Sequence, residues 1–207
     1  MNIIPQEKLH IEELLGELKV GCTIVYPTET CYGLGCDATN DRAVEKIFAI
    51  KQRQKEKSVL VLMADVGMAM QYVEWTPMLE KIARHYWPGA LTVVVPVKPE
   101  HDLAAGVVRD DGTIAFRITN HYFAEELVRN FGKPLVSTSA NIAAMDNPYD
   151  IETVINMFEY AENQPDIVID GGALQERAPS TIIKVTGQHI EVVRQGDVVV
   201  DHAILLG

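Results

Sequence analysis

No run of apolar residues in this chain approaches the ~18 needed to cross a bilayer, so no membrane span is expected. The N-terminal segment MNIIPQEKLHIEELLGELK carries charges throughout and does not read as a secretory leader. Cysteine is scarce. Cys22, Cys31 and Cys36 crowd one short segment, and an odd count in 207 residues is no disulfide framework. Only Cys31 and Cys36 come near metal-ligand spacing and no second pair matches them, so all three read as free thiols of a reducing, cytoplasmic protein. Positive charge is also short: 18 Lys and Arg face 29 Asp and Glu, a formal net charge of −11. That balance argues against extensive nucleic-acid contact, whose affinity comes mainly from cations on phosphates.

Several signature motifs are absent as well. There is no G-x-x-x-x-G-K-[ST], and the GLG at 33–35 does not extend to G-x-G-x-x-G, which removes the P-loop and Rossmann readings. H-E-x-x-H and G-x-S-x-G are missing, and the six histidines are scattered. His85 falls inside a helical pattern and His121 just ahead of one, both in structural positions. No metal-ligand cluster is visible.

What is present is an ordinary globular composition, 47% hydrophobic and 23% charged, long enough for a full core. Helical periodicity marks 7–19, 42–50, about 65–72, 77–86, 121–131 and 150–160. Asn40 or Asp41 can cap the second of these. Strands are expected at 22–26, 58–64, 90–96, 113–118, 134–139 and 166–170, and STIIKV with IEVVRQ reads as a terminal hairpin. PTETCYGLGCDATN, 97–112, 140–149 and GGALQERAP read as loops. No repeat or linker interrupts the pattern, so residues 1–207 form one α/β domain of the α+β type, with a mixed sheet.

The positive charges are not spread evenly. KQRQKEK (51–57) places Lys51, Arg53, Lys55 and Lys57 two residues apart with only Glu56 opposing them. On an extended backbone that spacing lines all four along one side, a row suited to an anionic ligand such as a triphosphate. The alternative is a solvated basic connector. Three hydroxyl-rich loops accompany it at strand boundaries: PTET (27–30), STSAN (137–141) and PST (179–181). Their hydroxyls donate and accept hydrogen bonds, and their small neighbours let backbone N–H groups approach an anion. With Arg117 at the end of a strand, they describe a pocket for a polar substrate and a phosphate chain.

The same residues carry a resemblance. PTETCYGLG, K-Q-R (51–53), WPGALT (87–92), FRIT-H (116–121), STSAN, PSTI and R-Q-G (194–196) stand in the order and spacing of the YrdC/TsaC family of threonylcarbamoyl-adenylate synthases, in its short single-domain bacterial form. The resemblance runs from about residue 8 to 197. It implies a YrdC/RibB-like fold, a twisted, mixed open sheet flanked by helices around a concave positive cavity. It implies a reaction of L-threonine, bicarbonate (or CO2) and ATP, normally with Mg2+, giving threonylcarbamoyl-AMP and pyrophosphate. The product serves threonylcarbamoyladenosine formation next to the anticodon of tRNA.

Carried over by position, Lys51 and Arg53 are the catalytic cations. Lys57, Ser139, Asn141 and Arg194 join them around ATP, while Thr30, Arg117, Ser137 and Ser180 hold threonine. No protein ligand to a metal is implied, since magnesium arrives with ATP. The implied partners are the other tRNA threonylcarbamoylation proteins, with tRNA contact weak or indirect and no membrane. Departures from the family pattern include Ala143 and Ala144 after S-A-N, where the family commonly has Ser-Gly, and Gln54, where proline is common. The rival reading is a binding protein of the same fold, directed to double-stranded RNA, tRNA or ribosome maturation, without synthase activity.

Overall fold

The computed structural model describes residues 1–53 and 59–201. Among these, eleven strands fall into two mixed sheets. The five-stranded sheet runs β1 (Asn2–Pro5), β9 (Ile167–Asp170), β2 (Ile24–Pro27), β3 (Tyr32–Gly35) and β8 (Thr138–Ser139). The six-stranded sheet runs β11 (His189–Arg194), β10 (Thr181–Thr186), β5 (Leu91–Pro96), β6 (Thr113–Ile118), β4 (Leu60–Met63) and β7 (Leu135–Val136). In the six-stranded sheet antiparallel and parallel pairs alternate, while in the five-stranded sheet two parallel pairs, β1–β9 and β9–β2, are followed by two antiparallel ones, β2–β3 and β3–β8.

Among the described residues six helices cover the sheets: α1 (Ile11–Lys19), α2 (Asp41–Lys51), α3 (Val66–Tyr72), α4 (Pro77–Tyr86), α5 (Tyr122–Phe131) and α6 (Ile151–Phe158). Side-chain caps open four of them. Asn40 accepts from the Ala43 N–H at α2, and Asp65, Thr76 and Asp150 do the same for α3, α4 and α6. α5 buries Phe123, Ala124, Leu127, Val128 and Phe131, a single helical face, against Tyr26, Leu62 and Ile169 beside α1. The larger core holds Val93, Phe116, Ile183 and Val61 from the six-stranded sheet with Ile47, Phe48, Leu79 and Ile82 from α2 and α4.

Four local differences separate the structure from the sequence expectations. YGLG, expected as loop, is β3. Glycine is a poor strand former, but a Cβ at Gly35 would lie 2.2 Å from the Val136 carbonyl oxygen, so only glycine lets the two sheets meet there. PLVSTS, expected as one strand, is two: β7 belongs to the six-stranded sheet and β8 to the other, with Ser137 at the crossing. The helix expected from residue 7 starts at Ile11, after a 3-10 turn at Gln6–Lys8, because Leu9 is extended and packs on the core beneath α1. Asn2–Pro5, given no element in the sequence reading, pairs with β9 as an edge strand.

Candidate active site

Strand alternation lays the floor of the site. Leu91, Val93 and Val95 of β5 enter the core, which turns Thr92 and Val94 to the opposite face of the six-stranded sheet. Register aligns Leu60, Ala115 and Val94 across β4, β6 and β5, and Thr92 with Ile182 on β10. These residues floor a cavity of about 250 Å3. Its walls are Thr28, Thr30 and Cys31 from the loop after β2, Ser137 to Ser139 from the sheet crossing, and Pro179 and Ser180 ahead of β10.

Four of the chain's eight arginines line this one cavity: Arg53, Arg109, Arg117 and Arg194. No Asp or Glu is among the described residues that line it. In a chain of net −11 this is a strong local concentration of positive charge.

The residues singled out from sequence occupy three connected places. Thr30, Arg53, Arg117, Ser137, Ser139, Ser180 and Arg194 line the cavity itself. Lys51 and Asn141 line an adjoining, more open pocket together with Arg53 and Ser139. Lys57, with Lys55 of the proposed cation row, lies outside the described residues.

The row itself is not extended where it is described. Lys51 is the last residue of α2, and Gln52 takes a left-handed φ of 49°. The Gln52 N–H donates to the Ala49 carbonyl and the Arg53 N–H to that of Phe48, a Schellman closure that ends the helix between Lys51 and Arg53. Closing the helix this way without glycine costs roughly 1 kcal/mol. The only other described non-glycine residue in this conformation is Ala144, φ 69°, in the turn where the sequence lacks its expected Ser-Gly. Both border the adjoining pocket, so the backbone strain is concentrated there.

Lys51 is buried and fully engaged. Its ammonium donates to the Ser139 carbonyl at 2.6 Å, the Asn141 carbonyl at 2.8 Å and Asn141 Oδ1 at 2.9 Å. Asn141 Oδ1 also accepts from the Ser139 hydroxyl at 2.7 Å, and Asn141 Nδ2 donates to the Met145 carbonyl. The three residues therefore fix the STSAN loop as one hydrogen-bonded unit. Burial, then the charge of Arg53, lowers the Lys51 pKa to about 8. Arg53 is in turn lowered by burial and by Arg109.

At the other end, Arg117 Nε lies 2.9 Å from Glu29 Oε1, and both side chains are more than nine-tenths buried. This is an ion pair without hydrogen-bond alignment, since neither atom has a partner by geometry. Thr119 Oγ1 donates to Glu29 Oε2 at 2.7 Å. Burial alone would raise the Glu29 carboxyl, but Arg117 and the Thr119 hydroxyl outweigh it, so it sits below the usual carboxylate range. Arg194 donates to the Ser180 carbonyl at 2.7 Å and to its hydroxyl at 3.2 Å, and that hydroxyl lies 3.0 Å from Thr92 Oγ1. Cys31 reaches the cavity, but burial raises its pKa and keeps the thiol neutral.

Glu29 and Arg109 were not singled out from sequence. Glu29 stands inside PTET, where the hydroxyls drew the reading. Arg109 precedes two aspartates, so its segment reads as acidic. In the fold, Asp111 binds Thr113 and pairs with Lys184 at 3.0 Å, while Arg109 turns to the cavity. Among the described residues no group of three or more His, Cys, Asp or Glu is placed to hold a metal ion. No described helix is long and apolar enough to cross a membrane.

A family model described as Sua5_yciO_yrdC, telomere recombination, matches residues 17–196. The structure of P. abyssi Sua5 complexed with L-threonine superposes with a TM-score of 0.82 at 28% identity, over 95% of this chain. The present chain spans only 58% of that protein. E. coli YciO superposes with a TM-score of 0.81 at 25% identity, over 94% of both chains. T. kodakarensis HypF, at 17% identity and a TM-score of 0.78, shares the fold over 24% of its length. With the family model spanning most of the sequence and the two mixed sheets matching YciO and Sua5, this chain belongs to the Sua5/YciO/YrdC family.

Proposed function

We propose that the chain is a threonylcarbamoyl-adenylate synthase, converting L-threonine, bicarbonate (or CO2) and ATP to threonylcarbamoyl-AMP and pyrophosphate. The observation that carries this reading is the cavity in which four arginines meet the hydroxyls of Thr30, Ser137, Ser139 and Ser180 with no lining carboxylate. A family member binding L-threonine at 28% identity supports the choice of amino acid.

The chemistry needs positioning and charge neutralisation more than covalent catalysis. The threonine carboxylate pairs with Arg117, whose forked guanidinium suits it, and the hydroxyls of Thr30, Ser137 and Ser180 orient the rest of the amino acid. Its amine takes up CO2 to form a carbamate. A carbamate oxygen attacks the α-phosphorus, the bond from that phosphorus to the bridging oxygen breaks, and pyrophosphate leaves. Arg53, Arg109 and Arg194 stabilise charge growing on the phosphoryl oxygens. Lys51 contributes its charge and holds Ser139 and Asn141 in place. Magnesium enters with ATP as part of the substrate, held by phosphates, which suits a cavity without lining carboxylates. The adenylate then passes to other tRNA threonylcarbamoylation proteins, with direct tRNA contact minor.

ATP–pyrophosphate exchange that requires both threonine and bicarbonate is the test. Exchange at background, together with tight salt-sensitive RNA binding, overturns the synthase reading in favour of a binding protein.

A further inference from the structure

The Glu29–Arg117 pair joins motif segments 88 positions apart in the sequence through the Nε of the guanidinium. Arg117 sits on β6, between β5 and β4, and the strand alternation that buries Phe116 aims it at the cavity. A guanidinium there without a counter-charge would be costly to bury. Glu29 supplies the counter-charge from behind: it approaches Nε and is not among the lining residues, leaving the Nη edge for the cavity. Among the described residues no hydrogen bond from Arg117 occupies that edge. Thr119, fully buried, fixes Glu29 through its hydroxyl and takes a second hydrogen bond from the His121 N–H. The PTET glutamate, the FRIT threonine and the backbone of the following histidine thus form one buried brace.

We propose that Glu29 is a positioning residue for amino-acid recognition: its carboxylate, oriented by Thr119, holds the Arg117 guanidinium with its Nη edge toward the cavity. Glu29 does not touch the substrate. It acts through Arg117, so its influence reaches the carboxylate of the amino acid and not the phosphates of ATP. The inference rests on the threonine reading given above.

The test combines binding with a ligand-free observable. In calorimetric titrations, Glu29→Gln should raise the threonine dissociation constant about tenfold and leave that for ATP within about twofold. The double variant Glu29→Gln/Arg117→Ala should bind threonine no worse than Arg117→Ala alone, because two residues acting as a unit are not additive. Thr119→Val, which keeps the shape and removes only the hydroxyl, should weaken threonine about threefold and serves as the readout if Glu29→Gln does not fold. In the unliganded protein, the Arg117 Nε–H resonance should exchange slowly with solvent, and faster in either variant. Equal losses for threonine and ATP, an additive double variant, or unchanged Nε–H exchange overturns the inference. Threonine failing to bind the unaltered chain overturns the underlying reading; normal binding there with Glu29→Gln indistinguishable from it overturns the positioning role alone.

Discussion

The two ends of the arginine-lined site solve the same problem, burying a cation, in opposite ways. At Arg117 an acidic partner sits behind the guanidinium, and the Glu29 carboxyl is held below its usual range. Around Lys51 the neighbouring charges are alike: burial and then Arg53 lower Lys51, and burial and then Arg109 lower Arg53. The first end is held by protein groups, Glu29 and Thr119, and can present a fixed geometry. The second end holds its cations at an electrostatic cost that a polyanion relieves on binding. A small zwitterion needs the former, since shape decides its recognition. A triphosphate suits the latter, since its charge supplies most of the interaction.

Reciprocal losses give the sharpest way to break this comparison. Arg117→Ala should weaken threonine binding about 100-fold while changing ATP by no more than about threefold. Arg53→Ala should do the reverse, costing ATP about tenfold and flattening its dependence on salt, with threonine unaffected. Titration of each ligand into each variant decides it. If both variants lose both ligands equally, the two ends form a single unit and the contrast fails.

A second, smaller effect concerns pH. With its pKa lowered to about 8, Lys51 is mainly charged at pH 7 and mainly neutral at pH 9 in the unliganded protein. Ligand phosphates favour the ammonium, so ATP binding should take up protons near pH 8. Affinity should then fall as pH rises through that value, by up to about tenfold between pH 7 and 9. Lys51→Met should flatten the profile over this window. A wild-type profile already flat would remove Lys51 charge from ATP recognition.

The smallest effect separates strain from binding. Ala144 occupies a left-handed conformation beside the open pocket. Ala144→Gly should raise stability by about 1 kcal/mol, read as the unfolding midpoint in denaturant, with both dissociation constants unchanged. A loss of ATP affinity in this variant would show that the strained turn helps to shape the phosphate end.

Much of the molecule could be read locally. The helical patterns at 77–86 and 121–131 agree with α4 and α5, and Asn40 caps α2 as its position before the apolar face suggested. Of the residues nominated for the site, Thr30 of PTET, Ser137 and Ser139 of STSAN, Ser180 of PST and Arg117 of FRIT reach one cavity, while Asn141 lines the pocket beside it. The local signal misled where a residue's role depended on something distant. YGLG is a strand because another backbone presses on Gly35. The alternate spacing in KQR suggested a row, but a helix terminus intervened and sent Lys51 into the STSAN loop and Arg53 into the cavity. Arg109 was hidden by its acidic neighbours, whose charges the fold directs elsewhere.

Outside YGLG and Asn2–Pro5, element type, helix caps, hydroxyl-rich loops and the family's ordered motifs were determined by the sequence itself, because each depends on residues within a few positions of one another. The meeting of Arg53, Arg109, Arg117 and Arg194, the passage of Ser137 between two sheets and the Glu29–Arg117 brace were decided only by tertiary structure. They depend on which strands pair and in what register, and a shift of one residue would turn Arg117 from the cavity into the core.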